Sequence, residues 1–180
     1  MSELTELTEL NLTATKITTA GLKELKGLKN LATLTLDSTG ITDAGLKELA
    51  ALEQLSELNL KGTKITDQGL KELRELKNLE SLDLSFNRIT GVGIVELRDL
   101  ENLTLLNLAH SLVADAGVKE IGKLKHLRSL RLGSCDITDL GLRTLSDLED
   151  LIELDIQRTH VSNAGIQELG HSLPNAKIKF

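Results

Sequence analysis

The sequence lacks several features that whole classes of protein need. Its 180 residues include no Trp or Tyr, two Phe, one Cys and one Pro. A single cysteine cannot form an internal disulfide, which agrees with a reducing compartment. No apolar run approaches the roughly 20 residues that a bilayer-spanning helix needs. The N-terminal stretch MSELTELTEL has neither the basic start nor the apolar block of a signal peptide. We therefore expect a soluble chain that resides in the cytoplasm.

The chain also lacks an excess of basic residues. Its formal net charge is −6 and its isoelectric point is about 5.3. Nucleic acids and anionic membrane surfaces are bound mainly through clustered Lys and Arg. The charge therefore argues against a nucleic-acid partner and against a membrane partner, and a protein or peptide remains the expected partner.

What the sequence does contain is one pattern repeated at a fixed interval. Units of 24 residues begin at Leu7, Leu31, Leu55, Leu79, Leu103, Leu127 and Leu151. Each unit reads roughly LxxLxLxxTxITDxGLKELxxLxx. Its first part alternates apolar and polar residues, which indicates a short strand, and its second part has apolar residues three apart, which indicates an amphipathic helix. One unit cannot bury its apolar face alone, so the units must stack on each other.

The stacking predicts the fold. Identical strands stacked in order are parallel, and helices are wider than strands, so the stack should bend. We expect an α/β right-handed solenoid, a segment of a horseshoe, with the parallel sheet on the concave side and the helices on the convex side. Residues 1–180 should form one domain of seven units. A capping strand at about 175–180 should end it, with Ile178 and Phe180 covering the last coil.

Two positions near the predicted start of the helix in each unit hold a restricted set of residue types. The thirteenth position holds residues favoured at helix N-caps: Thr19, Asp43, Asp67, Gly91, Asp115, Asp139 and Asn163. The fifteenth position is glycine in every unit, although glycine costs about 1 kcal/mol against alanine within a helix. We infer that the helix backbone passes too close to the neighbouring coil to leave room for a Cβ atom.

The motif LxxLxLxx(T/N/S/C)x(I/V), which runs from residue 7 to about 161, resembles that of leucine-rich repeat proteins. The stretches ITDAGLKEL, ITDQGLKEL and ITDLGLRTL are similar to the cysteine-containing subfamily of F-box substrate receptors and bacterial repeat proteins. The units here are shorter than in that subfamily, and their ninth position is mostly Thr. The resemblance implies that ninth-position residues, including Cys135, bond the backbone of adjacent turns.

Residues with catalytic or metal-binding potential do not combine into a site. The segment 117–123 matches seven places of a phosphate-binding loop, but Leu124 stands where Ser or Thr is needed, and the segment falls on a repeat helix. Cys135 and His110 could lie close, yet the ninth position should point inward. The four histidines occupy different positions in their units and so cannot converge on a metal. We expect no enzyme activity, no cofactor and no metal.

The concave sheet surface is the remaining candidate for function. Phe86 occupies the eighth position, where most units have small or polar residues. Aromatic and Arg side chains are enriched at binding hot spots. Alternatively, Phe86 packs on its neighbours at the rim of the sheet, since isolated exposed apolar residues are common. The predicted partner-binding residues are Asp83, Phe86, Leu105, Asn107, His110, Arg131 and Arg158.

The sequence thus favours a non-enzymatic module that binds a protein or peptide on its concave sheet, with charged flanks orienting the partner. Self-association through the N-terminal edge is an alternative, because Leu4 occupies the last apolar slot of a preceding unit and no cap covers the first coil. The resemblance also allows the substrate-recognition part of a ubiquitin ligase or effector protein. The regular spacing would suit an engineered repeat scaffold as well.

Overall fold

The structure of the protein, a computed structural model, describes residues 5–180 as a stack of strand-and-helix units. Eight parallel strands form one sheet in chain order. Residues 24 apart are paired across the sheet, as Leu34 is with Leu58. Leu4 lies outside the described residues. The strands are β1 (Glu9–Asn11), β2 (Thr33–Thr35), β3 (Glu57–Asn59), β4 (Ser81–Asp83), β5 (Leu105–Asn107), β6 (Ser129–Arg131), β7 (Glu153–Asp155) and β8 (Lys177–Lys179).

Each strand is short because it alternates around a single inward-facing apolar residue. In β4, Leu82 is fully buried, while Ser81 and Asp83 on either side of it remain partly exposed. Successive side chains of a strand point to opposite faces. The third and fifth positions of every unit therefore form the open face of the sheet.

Helical segments cover the other face of the sheet, and several are 3-10 rather than α. The α-helices are α1 (Thr19–Lys23), α2 (Asp43–Leu46), α3 (Asp115–Ile121), α4 (Asp139–Arg143) and α5 (Asn163–Ser172). The 3-10 segments are Glu24–Gly27, Lys47–Ala51, Asp67–Leu73 and Val92–Leu97. A 3-10 helix has 3.0 residues per turn. Apolar residues three apart, such as Leu70 and Leu73, therefore lie on one line and are both buried.

The predicted solenoid, with a parallel sheet on one side and helices on the other, is confirmed. Its core is a continuous stack of Leu, Ile and Val side chains, which runs through all the units between strand and helix. Within residues 5–180, no helix is both long enough and apolar enough to cross a membrane.

The fifteenth-position glycines lie where neighbouring coils approach most closely. A Cβ atom on Gly69 would be 2.4 Å from Oδ1 of Asp43, and one on Gly117 would be 2.3 Å from the carbonyl oxygen of Thr90. Both distances are far shorter than a non-bonded contact between heavy atoms. The steric reason inferred from the sequence is therefore confirmed for five of the seven glycines, whereas a Cβ on Gly21 or Gly45 would first meet the isoleucine of its own unit.

The prediction of the helix N-caps is wrong by one position in every unit except the fourth, where the predicted Gly91 is the N-cap. The twelfth residue is the N-cap in most units, and its hydroxyl accepts a hydrogen bond from a first-turn amide, as Thr138 does from Leu140. The thirteenth-position aspartate instead bonds to the next unit. The carboxylate of Asp115 accepts from the amide of Thr138 at 2.8 Å and from its hydroxyl at 2.7 Å. An N-cap residue is typically extended, and Thr138 has that backbone conformation.

Ninth-position side chains reach backbone carbonyls by two routes. Asn87 Nδ2 donates to the carbonyl of Leu60 in the preceding unit at 2.7 Å, and Cys135 Sγ donates to that of Leu108 at 3.3 Å. The shorter threonines donate within their own unit, as Thr39 does to Leu36. The chain thus bonds adjacent coils through Asn and Cys, while threonine closes the local turn, and Thr63 also donates to Oδ1 of Asn87 in the next unit at 3.0 Å.

Candidate interaction surface

Three of the predicted residues line one shallow depression on the open face of the sheet, which we call the central depression. It has a volume of about 240 Å³. Asp83 comes from β4, Leu105 from β5 and Arg131 from β6, so the tight strand spacing brings an acidic, an apolar and a basic side chain together. Glu57 also lines this depression, together with six residues that were not predicted to bind a partner: Thr33, Leu34, Thr35, Leu58, Asn59 and Ser81.

Asn107 lies beneath this surface and makes its hydrogen bonds inside the protein. The residue is 9% exposed. Its Nδ2 donates to Oδ2 of Asp83 at 2.8 Å, and its Oδ1 accepts from the amide of Ala109 at 3.1 Å. Asn107 therefore orients the carboxylate of Asp83, and a partner could reach Asp83 more readily than Asn107.

The fifth position has a structural role that the sequence analysis missed. Asn or Asp there accepts a hydrogen bond from the amide two residues later, as Asn59 does from Lys61 at 2.9 Å. Such turns end a strand locally. Arg131 takes this position in its own unit, and its side chain is exposed. The signal was present in the sequence, because most units have Asn or Asp at the fifth position.

The eighth-position residues share a left-handed backbone conformation. Phe86, His110 and Arg158 have φ of 57°, 56° and 57°. Non-glycine residues adopt this region rarely, at a cost of about 1–2 kcal/mol each. The row is held by hydrogen bonds between units, such as the amide of Phe86 donating to the carbonyl of Ala109 at 3.0 Å. Only Gly62 in this row suggests such a conformation from sequence.

Phe86 and His110 form a stacked pair. Their ring centroids are 4.2 Å apart with an angle of 17° between the planes. The ammonium of Lys61 lies 5.6 Å from the Phe86 centroid. Phe86 nevertheless remains 52% exposed. The side chain of Phe86 therefore packs on its neighbour, as the rim-packing alternative predicts. It also exposes an apolar surface to solvent, as a binding hot spot requires.

A second hollow, which we call the C-terminal depression, lies at the other side of His110. It has a volume of about 300 Å³, and its lining includes His110, Ser134, Arg158 and Phe180. The sequence predicts that Ile178 and Phe180 cover the last coil. This is confirmed for Ile178 of β8, which packs against the core, and is wrong for Phe180, which is 68% exposed. Phe180 follows the last residue of β8 and so is free of the alternation that buries Ile178.

The predicted residues therefore form three adjoining groups rather than one patch. Asp83, Leu105 and Arg131 line the central depression, with Asn107 beneath it. Phe86 stacks on His110 beyond the strand ends. Arg158 lies in the C-terminal depression, which shares His110 with that stacked pair.

Cys135 is held in a form that disfavours nucleophilic chemistry. Burial raises the pKa of its thiol, partly offset by the hydrogen bond with Ser111. The thiolate is the reactive form of cysteine, so a raised pKa and a buried sulfur leave it inert at neutral pH. In the described part of the chain, no group of three or more His, Cys, Asp or Glu side chains is placed to hold a metal ion.

Comparison with known families and structures agrees with this architecture. One leucine-rich repeat model matches residues 5–65, and a second matches residues 75–97 and 123–146, which together make up more than half of the sequence. The chain belongs to the leucine-rich repeat family. Its membership in the cysteine-containing subfamily stays a prediction. A search of curated protein sequences finds no match.

Similar solved structures are bacterial leucine-rich repeat proteins. An internalin, InlF, of Listeria monocytogenes is 25% identical with a TM-score of 0.80, over 99% of this chain and 48% of the internalin. A leucine-rich repeat protein of Leptospira interrogans is 28% identical with a TM-score of 0.74, over 99% of this chain and 50% of its own. Internalin C2 of Listeria monocytogenes is 26% identical with a TM-score of 0.66, over 99% of this chain and 83% of its own. The chain thus spans about half the length of the first and second of these proteins.

Proposed function

We propose that this leucine-rich repeat chain is a non-catalytic module that binds a protein or peptide on the open face of its sheet. The Phe86–His110 pair would be the apolar anchor, and the central depression would receive the rest of the partner. The leucine-rich repeat family generally serves protein–protein interaction, which supports this proposal.

The observation that carries the proposal is the half-exposed ring of Phe86. An aromatic side chain that is stacked on one face, exposed on the rest and fixed by a left-handed turn loses little conformational entropy when a partner covers it. Rigid aromatic anchors of this kind are typical of hot spots.

The charges on the two faces of the solenoid support the same surface. On the helix side, Arg74, Arg98 and Arg143 are each paired with a glutamate of the next unit. Among residues 5–180, Arg131 and Arg158 have no ion-pair partner within the chain. Unpaired guanidinium groups on the sheet side, opposite the carboxylates of Glu57 and Asp83, would orient a partner of complementary charge.

A displayed random-peptide library selected against the protein tests this proposal. Selected peptides should bind the Phe86→Ala, Arg131→Glu double variant at least about tenfold more weakly, since truncating a hot-spot residue costs about 2 kcal/mol or more. The matched control is Leu140→Ala with Arg88→Glu, which removes an exposed apolar and an exposed basic residue elsewhere. Equal binding to all three proteins would refute the concave-face site.

Self-association through the first unit is a second candidate, favoured by one observation. Leu7, Leu10, Leu12 and Ile17 are only partly buried, whereas the equivalent residues of the next unit, Leu31, Leu34, Leu36 and Ile41, are 0–1% exposed. Apolar surface of this kind is often covered by an interface.

Light scattering across a concentration series tests the second candidate. A dimer that Leu10→Lys dissociates, while Ile178→Lys at the opposite end does not, is the expected result. A protein that stays monomeric at every concentration contradicts self-association, and it leaves the peptide-binding proposal untouched.

A further inference from the structure

The C-terminal depression has a geometry that the function proposed above does not use. His110, Ser134 and Arg158 occupy the same position in three consecutive units, with a small residue between two large ones. Neighbouring strands are about 4.8 Å apart, so two unit steps separate the backbones of His110 and Arg158 by about 10 Å. Above Ser134 the structure therefore has a gap with a side chain on either side.

The spacing of about 10 Å between the two backbones is wide enough for a flat ring. Carbon atoms in contact lie about 3.5 Å apart, so a ring stacked on both faces needs about 7 Å between its two neighbours. The volume of about 300 Å³ is at the lower end for ligand pockets, which suits one side chain better than a larger molecule. Phe180 contributes a further apolar wall.

Both walls of the gap consist of groups that stack on aromatic rings. One face of the His110 imidazole is covered by Phe86, and the residue also lines the depression. The guanidinium of Arg158 is exposed and has no ion-pair partner in the described part of the chain. A guanidinium is flat, weakly hydrated and well suited to lie over an aromatic face.

We propose that the C-terminal depression binds one aromatic side chain of the partner, stacked between His110 and Arg158. This inference rests on the proposed peptide-binding function and specifies one residue of the peptide. The incoming ring extends the existing pair into a stack of Phe86, His110, the partner's ring and Arg158. Asp155 also lines the depression, and within residues 5–180 its carboxylate accepts one hydrogen bond, from the amide of Gln157 to Oδ1, so its Oδ2 can accept from a tyrosine hydroxyl or an indole N–H.

A nucleobase has the same flat shape but fits the charges less well. The carboxylate of Asp155 lines the depression, and the chain carries a net charge of −6. Binding of nucleic acid depends on neutralising phosphates with Lys and Arg, and acidic groups oppose it. The surroundings therefore favour an uncharged aromatic side chain of a peptide.

Titration with N-acetyl-tryptophanamide, followed by NMR, tests the proposal. Saturable shifts are expected at the Ser134 amide and the His110 ring, with much smaller shifts for N-acetyl-leucinamide. Arg158→Ala should weaken binding about fivefold, since an exposed cation–π contact is worth about 1 kcal/mol. Arg128→Ala, which removes an exposed unpaired arginine outside the depression, is the matched control and should bind as the wild type does.

Four results would overturn the proposal: no saturable shift, equal shifts with the leucine analogue, shifts confined to Leu105 and Arg131, or tighter binding of adenosine 5′-monophosphate. Because the sequence has no Trp or Tyr, indole fluorescence reports only the added ligand and gives an independent measure of affinity. The titration uses neither Phe86→Ala nor Arg131→Glu, so its failure is distinguishable from failure of the peptide-binding proposal.

Discussion

At the scale of single residues, the left-handed eighth position shapes the surface most. It recurs three residues after each of the strands β1 to β7 and gives Phe86, His110 and Arg158 the same backbone geometry. Six of its seven residues are not glycine, so each bears the steric cost of a Cβ atom at positive φ. The protein thus keeps side chains on its candidate surface at the expense of stability.

Gly62 allows that cost to be measured. Gly62→Ala places a Cβ atom in open surroundings, with no heavy atom closer than 3.6 Å, so only backbone strain opposes it. We expect the free energy of unfolding to fall by about 1 kcal/mol. Gly27→Ala, where nothing lies within 4 Å and φ is not positive, should leave it unchanged or slightly raised. Urea denaturation of both variants provides the comparison, and a stabilised Gly62→Ala protein would contradict this account.

At the scale of the repeated elements, aspartates join each helix start to the next. Asp43, Asp67, Asp115 and Asp139 each accept hydrogen bonds from the amide and the hydroxyl of a residue in the following unit. The close glycine beside each carboxylate makes room for it. Neighbouring units are therefore bonded at the helix starts as well as through the sheet.

Removal of one such aspartate should be costly. Asp115→Ala leaves the amide and the hydroxyl of Thr138 without their acceptor, and hydrogen bonds to a charged group are worth about 1.5–3 kcal/mol. We expect a loss of about 2 kcal/mol in chemical denaturation. Asp136→Ala serves as the control, because that carboxylate is exposed and contacts only His160. Equal stability of the two variants would show that the inter-unit bonds contribute nothing.

The same bonds predict an acid dependence. The Ser162 hydroxyl, and then its amide, hold the pKa of Asp139 below the ordinary 3.8. A carboxylate with a lowered pKa in the folded state stabilises the fold above its unfolded pKa, and this contribution is lost as the pH falls through the folded value. Wild-type protein should therefore lose more stability below pH 3.8 than Asp139→Asn does. Parallel acid-denaturation curves would contradict the prediction.

At the scale of the whole molecule, stability should decrease towards the two ends. Each unit of a solenoid contacts only its neighbours, so the terminal units are supported on one side. Leu10 in the first unit and Ile166 in the last are partly buried, while Leu82 in the middle is fully buried. Local opening free energies follow such differences in packing.

Hydrogen exchange measures this gradient. The amide of Leu84, bonded to Asn107 between central strands, should exchange far more slowly than that of Leu12, bonded to Thr35 at the edge. Mass spectrometry of proteolytic fragments resolves the two regions. Uniform protection from residue 5 to residue 180 would mean that the units unfold only together, and the predicted lower stability of the terminal units would be wrong.

The fold was predictable because it follows from repetition. Leucines at fixed places in seven units can be buried only by stacking, and stacking in order makes the sheet parallel. The helix starts were predicted one residue late, because Asp is a good N-cap residue by itself and its bond to Thr in the next unit depends on how closely the coils approach.

The candidate site was predictable only in part. Phe86 departs from the repeat, and this departure pointed to the open face of the sheet. The burial of Asn107, the exposure of Phe180 and the C-terminal depression were not predicted. Each depends on distances between different units, whereas the repeat pattern gives only the position of a residue within its own unit.

The sequence by itself determined the architecture, the direction of the strands and the set of buried leucines, because apolar residues at a fixed period can be buried only when the units stack in order. The tertiary structure alone decided which of the residues that depart from the repeat, such as Phe86, lie close to one another. Phe86 reaches His110, and Arg158 lies across Ser134 from it, since a left-handed turn that non-glycine residues seldom adopt recurs in neighbouring units. Hydrogen bonds between units hold that turn, and they exist only once the units have stacked.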